Sequence, residues 1–353
     1  MTKPQVVHII AIPRGLENGS HVRLPWITRS GGASGERRAM DVSVILPCYN
    51  GALTLRAQLD ALARQSFSGT WELVFVDNGS TDDSVAIVET YRGRLPALTV
   101  VRAHDGSGPR QGVHHSYSVG FAHASGERFL LCEADDEVGD GWLQALGDAL
   151  AIHPFAGAAI DYERLNEPTL HQGWTMQSRE GGFLSSTVPL LKPWCIGCAM
   201  GLRREVYERI GAPTGECGTS WDIDYSWRAQ NAGFPLTFVP EAVVHYRLRD
   251  RRRARFRQGR AWGDSQAQVL IKYAAPLSTG VVLRYHVMIA RRAGDLVGEA
   301  LRAARGTRTA RYVMWELGWF AGHVTGLRHV YGTLFRRRGR KGDISADEPP
   351  VTA

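Results

Sequence analysis

With 353 residues, 44% hydrophobic and 22% charged, the chain has an ordinary globular make-up and is long enough for two domains or one large one. No run of 18 or more uncharged apolar residues occurs, which excludes a spanning helix, and five sparse cysteines suit a reducing compartment rather than a disulfide scaffold. The net charge of +7 is unevenly held: between Arg247 and Lys341 there are 22 Lys/Arg against 5 Asp/Glu, leaving 20 basic and 30 acidic residues elsewhere. An acidic body therefore carries a basic final third suited to an anionic partner.

Residues 1–40 read as a loosely attached leader. They hold the Gly/Ser-rich RSGGASGERR, lack a signal-peptide pattern, and leave Met40 as an alternative start. VSVILP (42–47) is a β-branched run ended by proline, which predicts a strand buried on both faces. A helix follows, with Leu55, Leu59 and Leu62 on one face and Asn50 as candidate cap. WELVFVD (71–77) is a second buried strand, and STDDSVAIVETYRG predicts a helix running to Gly93. ALTVVRA is a third strand, 113–124 a helix and ERFLLCE a fourth strand. This alternation predicts an α/β fold with a parallel sheet covered by helices, whose ligands lie beyond the carboxyl ends of the strands. Asp77 and the acids from Glu133 to Asp136 occupy that edge.

In VDNGSTDDS, Asn78-Gly79 is turn chemistry, and Ser80 or Thr81 can cap the next helix. Asp77 is then either a local helix-start acid or a hydrogen-bond acceptor for a base or ribose. Carboxylates spaced by one residue in EADDE (133–137) suit hard cations such as Mg²⁺ or Mn²⁺ together with phosphates, and an acid-rich helix start accounts for them equally well. In WDIDYSWRAQNAG, Trp221, Tyr225 and Ala229 or Ala232 mark the buried side of a short helix. Asp222 falls in its first turn, as general base or as helix-start acid. His245 ends a short apolar strand, where a structural histidine is commoner than a ligand. Cys195 and Cys198 form a Cys-x-x-Cys without thioredoxin context or a fourth zinc ligand.

Taken in order, these pieces resemble the family 2 glycosyltransferases with the GT-A fold, from about Val42 to His245. VILPCYNG stands where the family opens, DNGSTDDS where its second strand ends, and HASGERFLLCEADD where its Asp-x-Asp metal motif falls. DIDYSWR and PEAVVH match its closing motifs. The resemblance implies a GT-A type, mostly parallel sheet flanked by helices over residues 41–246, and a nucleotide-diphosphate sugar lying across the strand ends. It implies donor contacts from Pro47, Tyr49, Asn50, Asp77, Ser80, Glu133 and Ala134, and Mg²⁺ or Mn²⁺ held by Asp135 with His245. Asp222 takes the position of the catalytic base of an inverting transfer, with Asp136, Gly197, Cys198 and Trp221 on the acceptor side. Three positions depart from the pattern. Glu133 replaces the first metal-motif aspartate, Trp221 replaces an acid, and SYSVG (116–120) puts Tyr117 and Ser118 where the family has Arg and Asn. Diphosphate contacts then fall to Arg110, Arg247 and Arg249.

Eight arginines lie between Arg247 and Arg260, suited to close over a diphosphate or to form a solvated face. Their spacing lacks the Gln-x-x-Arg-Trp signature of processive synthases, which argues for single-sugar addition. A basic helical region is expected over 247–341 and a disordered tail over 342–353. Its aromatic-rich helical stretch suits an anionic membrane surface, and packing against the catalytic body or a homodimer partner accounts for it equally well. Nucleic acid is not an expected partner, since no recognition module accompanies the arginines. The expectation is an inverting glycosyltransferase acting on a saccharide or lipid-linked acceptor in surface polysaccharide or glycolipid synthesis, cytoplasmic and peripheral at the inner membrane face. A sugar-nucleotide nucleotidyltransferase would want a Gly-rich basic loop after the first strand, which PCYNGALT does not offer. A non-catalytic sugar-nucleotide-binding scaffold is the other alternative.

Overall fold

The computed structural model describes residues 40–343 apart from 172–173, 175, 186–191, 274–278 and 307–308. Of the expected leader (1–40) and tail (342–353), residues 1–39 and 344–353 fall outside the described residues, whereas 342–343 still belong to the last helix. The predicted alternation is present as β1 (Val42–Cys48), α1 (Leu55–Ala63), β2 (Trp71–Asp77), α2 (Ser84–Glu89), β3 (Leu98–Arg102), α3 (Val113–His123) and β4 (Arg128–Leu131). Every residue of β1 and β2 is buried, as continuous apolar runs require when helices cover both faces of a sheet. β1 pairs in parallel with β2 and β4, and β2 with β3, so Cys48 and Asp77 finish side by side at one edge.

Beyond β4 the chain continues as β5 (Glu137–Val138), α4 (Trp142–Ile152), β6 (Phe155–Asp161), α5 (Pro168–His171), β7 (Leu184–Ser185), β8 (Pro193–Trp194), β9 (Met200–Arg203), α6 (Arg204–Ile210), α7 (Trp221–Asn231) and β10 (Leu236–His245). The main sheet has eight strands in the order β3-β2-β1-β4-β9-β6-β10-β5, and β7 and β8 form a separate ribbon. β9 runs antiparallel between β4 and β6, and β5 antiparallel beside β10, which makes the sheet mixed. Two local expectations fail. Asn50 is not the cap of α1: Thr54 holds that position, and Asn50 adopts a left-handed backbone with φ of 50°. α2 starts after Asp83, not at Ser80 or Thr81, and ends at Glu89 well short of Gly93.

Three long helices complete the chain: α8 (Arg252–Tyr273), α9 (Thr279–Ala304) and α10 (Ala310–Asp343). α8 and α10 lie in contact with a constant offset, Gly259 against Gly318 and Gly263 against Gly322, so they run parallel. Glycine is needed there because the backbones themselves touch. A Cβ on Gly263 would stand 2.2 Å from the Trp319 carbonyl oxygen, and one on Gly322 2.2 Å from that of Arg260. The aromatic-rich stretch of α10 thus buries Trp315 and Trp319 within the protein. Gly322→Leu is expected to cost about 3 kcal/mol in denaturant unfolding, because backbone rather than a movable side chain blocks the new atoms. Gly298→Ala on α9, which meets only the end of Arg302 at 3.5 Å, should instead gain up to about 1 kcal/mol. Equal stability of the two variants would contradict the backbone seam.

Candidate functional site at the strand ends

The carboxyl ends of β1 and β4 open onto a cavity of about 720 Å³. It gathers Pro47, Tyr49, Asn50, Glu133, Ala134, Asp135, Arg110, Arg247 and Arg249 from four separate stretches of chain. Arg110 lies over the Tyr49 ring at 3.1 Å from its centroid, a cation–π platform at the cavity wall. The loops after β1 and β2 are tied together beneath it. The Asn50 N–H donates to the Ser80 hydroxyl (3.0 Å), and Asn50 Oδ1 accepts from the Thr81 N–H (2.8 Å). Asp77 is buried and its Oδ1 accepts the Ser80 N–H at 2.9 Å, so Asp77 and Ser80 shape the loop and do not line the cavity.

Carboxylate oxygens of Glu133, Asp135 and Asp136 all lie within 4.8 Å of one another. Burial, then the charge of Asp135, pushes the Glu133 pKa up to about 8, and burial with the same neighbour raises that of Asp136. Arginines offset the cluster. Arg249 Nη2 stands 3.3 Å from Asp135 Oδ2, the Arg247 N–H donates to Asp136 Oδ1 (2.8 Å), and Arg247 Nε donates to the Asp135 carbonyl (2.9 Å). Asp136 Oδ2 is buried without a hydrogen-bond partner among the described residues. Hard oxygen donors this close, one of them unpaired, fit a divalent cation of the Mg²⁺ or Mn²⁺ type.

Asp222 opens α7, where backbone groups orient it: Oδ2 accepts the Gly197 N–H (3.3 Å) and Oδ1 the Ile223 N–H (2.9 Å). Burial raises its pKa to about 7, and its charge in turn raises that of Glu133, which places the two carboxyls near one another. Gly197 and Cys198 belong to a 3₁₀ turn after β8. The Gly197 Cα faces the Trp221 indole so closely that a Cβ would stand 2.3 Å from Cζ2. Cys198 is buried beside Asp136. His245 is placed elsewhere. Its Nδ1 bonds to Asp161, and it lines a second cavity with Tyr162, His171 and Trp174, apart from the three acids.

Two residues that shape the site carry no motif. Gln58 is fully buried in α1; its Nε2 donates to the Glu133 carbonyl (3.0 Å) and its Oε1 accepts the Val138 N–H (2.9 Å), clamping both ends of the acid-bearing loop. An amide three residues from Leu55 and four from Leu62, on the apolar face, was the available signal. Tyr117 packs on Trp221 with ring centroids 5.0 Å apart and planes tilted by 41°, and its hydroxyl donates to the Cys132 carbonyl (3.1 Å). The two aromatic departures from the family pattern therefore touch each other. Gln58→Met is expected to cost about 1–3 kcal/mol, since the volume is kept while two buried backbone groups lose their partner. Unchanged stability in thermal or urea unfolding would show that the clamp is dispensable.

A mixed sheet with clustered carboxylates past the ends of its parallel strands defines the GT-A class. The glycosyl transferase family 2 model matches residues 43–211 of this chain. Glycosyltransferase AglE of Haloferax volcanii is 24% identical over 207 residues, covering 57% of this chain and 65% of that protein. An uncharacterized Nostoc glycosyltransferase, alr2836, is 29% identical over 178 residues, covering 48% and 53%. The chain thus spans less than two thirds of these relatives' own length. Among solved structures, the mannosyltransferase PcManGT from Pyrobaculum calidifontis, in complex with GDP-Man and Mn²⁺, superposes with a TM-score of 0.55 at 18% identity, over 82% of this chain and 88% of that one.

Proposed function

We propose that the protein transfers a glycosyl group, with inversion, from a nucleotide-diphosphate sugar to a hydroxyl of a saccharide or lipid-linked acceptor. One observation carries this reading: Glu133 and Asp135 of the acidic cluster line, together with Arg247 and Arg249, a cavity of about 720 Å³ that also holds Tyr49 with Arg110 over its ring. Anionic and cationic groups so arranged suit a ligand with a flat base at one end and a charged diphosphate at the other. Tyr49 with Arg110 takes the base, with Pro47 and Asn50 beside it. Arg247 and Arg249 face the diphosphate. Glu133, Asp135 and Asp136 would hold Mg²⁺ or Mn²⁺, which when bound offsets the charge of the departing nucleoside diphosphate. The GDP-Man and Mn²⁺ in the PcManGT complex support the same pairing of ligands.

Asp222 is the base in this reading. Its two backbone donors fix the carboxyl, and a pKa of about 7 suits accepting a proton at neutral pH. The acceptor hydroxyl passes its proton to Asp222 as its oxygen bonds to the anomeric carbon and the bond to the diphosphate oxygen breaks. The basic final third supports an acceptor presented near an anionic membrane face.

A panel of nucleotide sugars with and without Mn²⁺ should contain one that raises the melting temperature of the full chain, and Asp135→Ala should abolish the Mn²⁺-dependent part. Failure of every nucleotide with both Mg²⁺ and Mn²⁺ would overturn the donor site. Asp222→Asn should keep that thermal shift while turnover falls about 10²–10⁴-fold. A full rate in that variant removes Asp222 from the chemistry. Because the raised pKa leaves Asp222 protonated below about pH 7, kcat/KM should fall as pH drops through that value; a profile flat from pH 5 to 8 would contradict the assignment.

A further inference from the structure

α9 has two apolar faces. Its inner face packs on α10, where Tyr285 bonds to His323 and Arg292 lies over Trp319 at 4.7 Å. On the opposite side Leu283, Val287, Ala290, Gly294, Val297 and Leu301 recur at steps of 4, 3, 4, 3 and 4 residues, the spacing of a coiled-coil seam. All six are exposed, Leu283 at 62%, Val297 at 60% and Leu301 at 52%, and beyond its own stretch of helix a Gly294 Cβ would meet nothing within 4 Å among the described residues. No described element covers this stripe.

We propose that its occupant is α9 of a second copy of this chain, packed antiparallel about a two-fold axis beside Arg292. The stripe reads Leu-Val-Ala-Gly-Val-Leu, and reversed it reads Leu-Val-Gly-Ala-Val-Leu. An antiparallel copy therefore sets Leu283 on Leu301, Val287 on Val297, and Ala290 on Gly294, with the smallest residues where two helices come closest. This is the self-complementarity that an isologous contact requires. A membrane-inserting stripe would want bulk, not Ala and Gly, at its middle. One helix pair falls at the low end of standard interfaces, roughly 1,200–2,000 Å², so the dimer is expected to dissociate in the micromolar range. The inference does not depend on the transfer reading.

The test is light scattering or sedimentation of the full chain across concentration. Expected are dimers in the tens of micromolar that Val287→Glu or Val297→Glu weakens at least ~100-fold without lowering the melting temperature, since both side chains are solvent-facing. Orientation is read by oxidative cross-linking. Leu283→Cys and Leu301→Cys should join only when the two variants are mixed, because antiparallel pairing holds like positions roughly 27 Å apart. The native cysteines are buried and give little background. Monomers up to about 100 μM, dimers indifferent to both variants, or cross-linking of either variant alone would overturn the proposal. So would a monomer whose stripe instead binds phosphatidylglycerol vesicles and loses them in Val297→Glu.

Discussion

Three carboxylates crowded at the end of one strand repel each other, and much of the surrounding architecture answers that repulsion. At about 5 Å and an effective dielectric near 20, each like-charged pair costs about 3 kcal/mol. The cluster is held by what cannot move away from it. The buried amide of Gln58 pins the loop from α1, and Arg247 and Arg249 bring positive charge from the loop after β10. With Glu133 pushed up to about 8, the cluster sheds part of its charge. A site that stores repulsion in this way is prepared for a positively charged occupant.

The C-terminal helices belong to the same design. Arg255, fully buried near the start of α8, donates to the carbonyls of Arg249 (2.6 Å) and Leu170 (3.1 Å) and so fixes the arginine loop. Burial lowers its pKa only to about 10, so it stays charged at neutral pH. At the other end of α8, Lys272 Nζ (2.8 Å) and the Tyr273 hydroxyl (2.7 Å) meet Asp224, two residues beyond Asp222 in α7. One helix therefore steadies both the arginine loop and the helix that carries Asp222. The glycine seam sets α10 firmly against that helix, which explains why an aromatic-rich segment ends up inside the protein.

Much of this was legible in the sequence because β1 to β4 and their helices are governed by local pattern. Continuous apolar runs such as VSVILP demand burial on both faces, and alternation with helices fixes the edge at which Glu133, Asp135 and Asp136 emerge. What was not legible depends on contacts across long separations. The insertion of β9 between β4 and β6, the Asp161 partner that takes His245, and the Tyr117–Trp221 ring contact all join residues dozens of positions apart. Asn50 was misread as a helix cap because its bonds run to Ser80 and Thr81, not to its own helix. The parallel match of glycines on α8 and α10 is visible as Gly-x-x-x-Gly in each helix, yet only the structure shows that the two repeats face one another.

The account rests on the acidic cluster as the place where a divalent cation and a diphosphate meet. Anomalous diffraction from crystals soaked with Mn²⁺ and a nucleoside diphosphate addresses this directly. A manganese peak among Glu133, Asp135 and Asp136, with Arg249 drawn off Asp135 toward the phosphates, is the predicted result. A peak at the His245–Asp161 pair, with the three acids unchanged, would contradict it.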